Sequence, residues 1–387
     1  MNVLFVSPHF PPHHWLFCRA LHARGITVLG LGDAPREQLA PELRATLTDY
    51  AHVPHLEDER AVDAAVAGLV ARHGRLDRVE SHTEHWLGLD ARLRAAFDVP
   101  LGARPEQLAP HRSKLGMAQV FREAGLPHPV SLAVGSREEA HAFARDHGFP
   151  LVIKPDVGVG ASRTDRVDDF EALDALLDQG PRNALIQPFI RGSITTYDGM
   201  VDREGRIVFA TSHVYDRGMM EILNGHLDGY YYSRREIPPA LEQMGQRAVA
   251  AFHLRERFFH AEFFVRPDGS LVALEMNLRP PGGFSTDMMN FACDVDVYAL
   301  WAAAVAGDDV THFRYRRPFH AAHAGRRFEH RYAVPHDELV RRLGTTLVLH
   351  RPVPPIFATS MGDVAYLLRH PDERALLEAI ALVQRPA

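Results

Sequence analysis

The stretch that most constrains the fold runs from residue 257 to residue 279, RFFHAEFFVRPDGSLVALEMNLR. Asp268 and Gly269 stand between two runs of strand-forming residues. An Asp-Gly pair in that setting predicts an antiparallel hairpin closed by a two-residue type I′ turn. With Asp268 and Gly269 at the centre of the turn, Pro267 faces Ser270. Counting outward sets Phe263 opposite Leu274, Glu262 opposite Glu275, and His260 opposite Asn277. Successive side chains of a strand point to opposite faces. Ala261, Phe263, Val265, Val272, Leu274 and Met276 therefore share an apolar face, and His260, Glu262, Glu275 and Asn277 share a polar one. Two carboxylates directly opposite each other repel, and a cation between them relieves the repulsion. Two carboxylates with an amide make a hard, all-oxygen set suited to Mg²⁺ or Mn²⁺. The competing interpretation is a solvated outer face, with one acid protonated or the register shifted by a bulge.

A second feature concerns the cations. Lys and Arg total 43, yet only Lys114 and Lys154 are lysine. Codon bias explains this as well as function does until the contexts are read. A lysine ammonium is a compact point charge on a flexible stem, suited to phosphate oxygens in a tight space. Lys154 closes the apolar strand 150–153 and is followed by Gly158, Gly160, Ala161 and Ser162. Glycines let backbone N–H groups approach an anion that a lysine neutralises. Lys114 follows Ser113, a helix-capping residue, and can reach the same anion from another side. No G-x-x-x-x-G-K-[ST] and no G-x-G-x-x-G sequence is present, so neither a Walker A loop nor a dinucleotide fingerprint is inferred.

At 387 residues, 46% apolar and 24% charged, the chain is globular and long enough for two or three domains. A net charge of −6 argues against nucleic acid as the main partner. The longest apolar run, 297–306, is too short to span a bilayer. The first residues, MNVLFVS, predict a strand and lack the charged start of a secretion signal. The two cysteines, Cys18 and Cys293, fit a reducing, cytoplasmic setting. A homodimer is the default assembly.

Strands at 3–6, 27–31 and 77–81 alternate with helices at 15–24, 62–73 and 90–97 over the first hundred residues. That order predicts a small Rossmann-like α/β unit with a parallel sheet. After a proline-marked boundary come helices at 113–123, 138–147, 168–177 and 241–252. Strands are expected at 150–154, 184–189, 197–201, 207–212, 258–265 and 271–277. The predicted class is α/β, with an α+β part in the middle. The expected units are 1–103, 104–310 with a lid at about 113–186, and a C-terminal substrate or packing region at 311–387. His9, His13 and His14 follow the first strand and can line a ligand pocket, although 24 histidines make chance clustering the plainer reading. Glu80, His82, Glu84 and His85 lie at another strand end and can contact an amine substrate, with a surface loop as the competing reading. The run Tyr230, Tyr231, Tyr232, Ser233, Arg234, Arg235 is expected as a lid or substrate loop, with Arg234 or Arg235 near phosphate. Arg326 and Arg327 are expected at the surface.

Taken together, these residues resemble the ATP-grasp superfamily over roughly 104–307. Lys114 in RSKLGM and Lys154 in LVIKP match its two nucleotide-binding lysines. Gly158, Gly160, Ala161 and Ser162 match its phosphate loop, and Gln187, Pro188 and Phe189 in LIQPFIRG match its adenine-contacting hinge. Glu262, Glu275 and Asn277 match its Mg²⁺ ligands, and Arg279 in EMNLRPPGG matches the arginine beside the acyl phosphate. Two positions depart: the hinge usually carries Glu where Gln187 stands, and an acid that binds ribose is Ile194 here, with Asp198 as a substitute. The resemblance implies a pre-ATP-grasp domain ahead of an ATP-grasp fold. It implies a catalytic role for Arg279 and Lys154, with ATP and Mg²⁺ (or Mn²⁺) as cofactors. The activity implied is ligation of a small-molecule carboxylate to an amine through an acyl phosphate. The alternatives are a biotin carboxylase-like enzyme using bicarbonate and a non-catalytic nucleotide-binding regulator.

Overall fold

The computed structural model describes residues 1–158, 164–180 and 183–387. Three of the residues expected to cradle phosphate, Gly160, Ala161 and Ser162, lie outside the described residues.

The chain builds three sheets. The first holds β1 (Asn2–Val6), β2 (Thr27–Gly32), β3 (Asp49–His52) and β4 (Arg78–Glu80), in the order β3-β2-β1-β4 with parallel pairing. Alternation divides its residues cleanly. Val3, Phe5 and Val28 pack with Phe17 and Leu21 of the helix Trp15–His22. Leu4, Val6, Leu29 and Leu31 pack with Val62, Val66 and Leu69 of the helix Glu59–His73. Both faces are covered, which is why β1 reads as an unbroken apolar run. β3, Asp-Tyr-Ala-His, carries no apolar run and was not expected.

The second sheet is antiparallel: β5 (Leu132–Ala133), β6 (Leu151–Pro155), β7 (Asp165–Val167) and β8 (Ala184–Pro188), in the order β5-β8-β6-β7. Leu151, Ile153 and Ile186 pack on the helices Arg137–His147 and Phe170–Asp178. The pairs Val152–Gln187 and Lys154–Leu185 therefore occupy the opposite face, which those helices leave free.

The third sheet has nine strands: β9 (Ser193–Val201), β10 (Ile207–Thr211), β11 (His213–Tyr215), β12 (Tyr230–Ser233), β13 (Arg257–Val265), β14 (Leu271–Asn277), β15 (His320–Arg326), β16 (Leu347–Pro352) and β17 (Val364–His370). Their order is β14-β13-β9-β11-β12-β15-β17-β16, with β10 beside β9. The tyrosine run expected as a lid is β12, held between β11 and β15. Aromatic residues favour such a pleated, half-buried setting over a mobile loop. The helices Lys114–Glu123 and Pro239–Ala251 cover one face of the β13–β14 end, packing on Phe259, Ala261, Phe263, Ala273 and Met276. Ser113 caps the first of them by accepting from Gly116 N at 3.0 Å. Among the described residues no single helix is long and apolar enough to cross a membrane. The apolar helices Ser285–Cys293 and Val297–Ala306 meet at 99° and are buried between the first and third sheets.

The hairpin differs from expectation near its tip. Gly269 N donates to Arg266 O at 2.8 Å, and Arg266 N to Ser270 O at 2.9 Å, so Pro267, Asp268 and Gly269 form a three-residue loop. Pro267 suits the first central position of a type I turn, and Gly269 at φ +81° completes it. The extra loop residue shifts the register, and Phe263 pairs with Ala273 rather than Leu274. A bulge at Leu274 absorbs the shift, and Glu262 still pairs with Glu275. Ala273 and Leu271, instead of Leu274 and Val272, consequently face the core.

A buried ion network ties β4 to the strand that begins at Arg257. Arg78 donates to Glu256 Oε2 at 2.6 Å. Glu80 lies 3.7 Å from Arg78, 3.5 Å from Arg94 and 3.4 Å from Arg257. Burial alone would raise the Glu80 pKa, but the guanidiniums of Arg94, Arg257 and Arg78 outweigh it and hold the carboxyl at about 2. Glu80 therefore stabilises the fold above its unfolded value of 4.5, and that contribution is lost as pH falls through about 2. Glu80→Gln leaves buried guanidiniums unpaired and should cost about 3–5 kcal/mol, read as a lowered urea midpoint with an unchanged slope.

Candidate active site

The polar face of β13 and β14 forms as the alternation requires. Glu262 lies opposite Glu275 and His260 opposite Asn277. On the other flank of β13, Asp198 of β9 lies opposite His260. This neighbour arranges the histidine. His260 Nδ1 is 2.6 Å from Asp198 Oδ1 and its Nε2 is 2.9 Å from Glu262 Oε1. Asp198 Oδ2 takes His213 Nδ1 at 2.7 Å and the Thr196 hydroxyl.

Each carboxyl responds to this setting differently. Burial works against charge on His260, but Asp198 and Glu262 outweigh it and push its pKa up to about 9. Burial works against ionised Asp198 too, yet His260 and His213 hold it at about 2. Glu262 is held below its ordinary value, with His260 prevailing over burial. Glu275 moves the other way. Burial, then the charge of Glu262, push it up to about 7, while Lys114 and Lys154 oppose the shift.

The two lysines thus act on the same carboxylate pair from different elements. Lys114 opens the helix Lys114–Glu123, and its Nζ donates to Gly158 O at 3.2 Å. The helix start is clamped to the turn after β6, with Lys114 N on Asp156 O at 3.0 Å and Leu115 N on Asp156 Oδ1 at 2.9 Å. Lys154 projects from the helix-free face of the second sheet. Burial lowers its pKa to about 8, offset by Glu275 and Glu262 and reinforced by Lys114.

Asn277 is 2% exposed, and its Oδ1 has no hydrogen-bond partner among the described residues. A buried acceptor without a donor is costly. Beside two carboxylates, one of which resists ionising, it suits a cation. Among the described residues no three His, Cys, Asp or Glu side chains form a metal-holding group. The oxygen set here has two acids and an amide.

The remaining expected residues spread around this centre. Gln187 lies on the Lys154 face, its Nε2 donating to Ser131 Oγ at 2.7 Å. Pro188 ends β8 opposite Leu151, and the Arg166 guanidinium sits 4.8 Å above the Phe189 ring. Arg279 donates to Glu84 Oε2 at 3.2 Å, joining the end of the hairpin to the loop after β4. His14 is buried nearby, its pKa driven well down by burial, by His13 and His82, and by Arg279. Asp198 is fully buried and spent on histidines, so it cannot replace a ribose-binding acid. Arg235 is anchored to Arg317 O and Pro371 O, away from this centre. Arg326 and Arg327 are buried, each 6% exposed, and donate to backbone carbonyls. Sequence reasoning gave no role to His260 or His213, and offered Glu84 only as a substrate contact, not as a partner of Arg279. The signal available for His260 was its place on the polar face two residues before Glu262.

His260 contributes stability fully below its ordinary value of 6.5, and the contribution is lost as pH rises through about 9. Asp198→Asn removes the anion that does most to raise it. The His260 imidazole should then titrate below about 9 by NMR, and the fold should lose about 3–5 kcal/mol in urea.

No family model matches the chain. The D-alanine–D-alanine ligase of Streptomyces griseus is 28% identical over 193 residues, 42% of this chain and 47% of that protein. The chain spans about half, or less, of the length of such curated relatives. Among solved structures, the L-amino acid ligase of Bacillus licheniformis superposes with a TM-score of 0.75 at 16% identity, over 98% of this chain and 96% of that one. The biotin carboxylase domain of the Hydrogenobacter thermophilus 2-oxoglutarate carboxylase, a dimer in complex with MgADP, ADP and bicarbonate, superposes with a TM-score of 0.71 at 15% identity. That match covers 97% of this chain and 88% of that one. At these identities the likeness is one of fold, and the chain shares the fold of both structures.

Proposed function

We propose that the chain is an ATP-dependent ligase that activates a small-molecule carboxylate as an acyl phosphate and passes it to an amine, releasing ADP and phosphate. The observation that carries this reading is the opposition of Glu262 and Glu275 with the charges of Lys114 and Lys154 acting on that same pair. The likeness to a D-alanine–D-alanine ligase and to an L-amino acid ligase supports it. In this reading residues 1–103 form a Rossmann-like pre-ATP-grasp unit. Residues 104–310 form the ATP-grasp unit with its lid at about 113–186, and 311–387 complete the substrate side. Two buried thiols, Cys18 and Cys293, fit a cytoplasmic location.

Glu262, Glu275 and Asn277 would hold Mg²⁺, or Mn²⁺ in its place. When bound, the ion supplies positive charge against phosphate oxygens. His260 fixes one oxygen of Glu262 and keeps that carboxylate ionised. Lys114, Lys154 and the backbone at Gly158, Gly160, Ala161 and Ser162 neutralise the rest of the triphosphate. Gln187, Pro188 and Phe189 border the base. Arg279 orients the carboxylate, whose oxygen attacks the γ-phosphorus as the bond to ADP breaks. The amine then adds to the acyl carbon, loses its proton, and phosphate leaves. The chain's share of catalysis is positioning and charge stabilisation.

Screening amino acids and small carboxylic acids with ATP and Mg²⁺ should yield ADP and phosphate release for at least one pair. Release of AMP and pyrophosphate, or turnover that requires bicarbonate and no amine, would overturn the reading. Glu262→Gln and Glu275→Gln should each lower kcat by about 10²-fold or more, with the circular dichroism spectrum unchanged. Because Glu275 ionises near pH 7 without a cation, Mn²⁺ affinity should rise as pH climbs through that value and flatten above it. In Glu275→Gln that rise should disappear, as followed by electron paramagnetic resonance.

A further inference from the structure

A cavity of about 860 Å³ lies behind the β13–β14 pair. Its walls are Arg78 and Glu80 of β4, the loop around Gly102 and His111, the outer side of the helix Lys114–Glu123, and the turn leading to Arg257. Strand alternation places Arg257 with Phe259 and Ala261, on the face away from His260 and Glu262. The cavity is therefore separated from the carboxylate pair by the sheet itself. Its volume falls within the range of about 300–1,000 Å³ usual for small-molecule sites.

Two independent observations at its inner wall point to an anion. The first is an excess of positive charge. Arg78, Arg94 and Arg257 are buried with Glu80 and Glu256 as ionic partners. The third acid, Asp90, is pushed up to about 7 by burial, against the pull of Arg94. With Asp90, 4.0 Å from Arg94, leaning toward its neutral form, the three guanidiniums outnumber Glu80 and Glu256, the carboxylates paired most closely with them. The second is a set of buried nitrogens lacking partners. Arg78 Nε and Nη1 and His111 Nδ1 in the wall, with Arg94 Nε behind it, have no hydrogen-bond partner among the described residues. The Arg78 side chain is only 4% exposed. Burying a charged donor without an acceptor is strongly unfavourable, and guanidinium forks are matched by the oxygens of phosphate or carboxylate. Arg203 and Arg255 add cations to the wall, with Arg203 more than half exposed at 57%.

We propose that this cavity is a second binding site, distinct from the catalytic one, for a small molecule bearing a phosphate or carboxylate group, with Arg78 and His111 facing the anion and Arg203 and Arg255 nearer the opening. The site also has a route to the catalytic face. Arg257, in its wall, begins the strand that carries His260 and Glu262, and Leu278, also in its wall, precedes Arg279.

The test is calorimetric titration of the full chain, in excess ADP and Mg²⁺, with inorganic phosphate, ribose 5-phosphate and citrate in turn. At least one probe should bind saturably. His111→Ala and Arg255→Ala should each weaken it by about tenfold while leaving the ATP KM unchanged. Arg78→Lys, which keeps the buried charge, should weaken it without unfolding the protein. Glu275→Gln should bind the probe as the wild type does. Binding of phosphate alone identifies the free ion as the ligand, preference for ribose 5-phosphate identifies a phosphate ester, and preference for citrate a carboxylate. The proposal is overturned if no probe binds at millimolar concentration, or if the wild type and the His111 and Arg255 variants bind equally.

Discussion

Two acids held face to face across a strand pair are the constraint from which the rest of the centre follows. An antiparallel ladder offers Glu262 and Glu275 no freedom to separate, and their surroundings are partly dry, so repulsion is strong. The protein's own groups answer asymmetrically. Glu262 is kept ionised by an imidazolium that is itself pinned by Asp198. Glu275 is left to rise toward neutrality. Two lysines from separate elements bear on it, one at a helix start and one on a strand of another sheet. A site of this kind stores electrostatic tension that a ligand of the right charge relieves, and it brings three parts of the chain to one point.

The hairpin shows how that opposition survives an imperfect turn. A three-residue loop alone would have moved each partner by one position and put Glu275 on the core side. The bulge at Leu274 restores the register three residues before Asn277. Bulges commonly sit next to functional positions for this reason. The loop and the bulge are therefore one device. Losing either would misalign the carboxylates while the core residues Ala261, Phe263 and Met276 remained apolar and well packed.

Much of this was legible in the linear chain. The parallel sheet at the start was readable because β1 and β2 are buried on both faces, so no polar residue interrupts them. The face shared by Glu262, Glu275, His260 and Asn277 was readable because alternation is local. The bulge was not, since Val272 and Leu274 are as apolar as Ala273 and leave no mark of which one turns inward. The histidine network was hidden because its partners come from other strands: Asp198 is 62 residues from His260, and Glu84 is 195 from Arg279. Arg326 and Arg327 misled because charge usually means surface. Here each guanidinium donates to backbone carbonyl oxygens, a pairing no local pattern announces. The tyrosine run is readable as a lid, a substrate loop or a strand end, and only its pairing with β11 and β15, the one short and the other distant in sequence, makes it a strand.

The scarcity of lysine has a practical corollary. Apart from the chain's first amino group, Lys114 and Lys154 supply the only primary amines in 387 residues, and both bear on one carboxylate pair. Burial weakens the Lys154 ammonium to a pKa of about 8, which raises its free-amine fraction at neutral pH. Acylating reagents, reactive metabolites or enzymatic acetylation would thus strike this cleft almost alone, while the arginine-covered exterior stayed inert. Amine-directed chemistry that would scatter over an ordinary protein's surface is confined, here, to a single address.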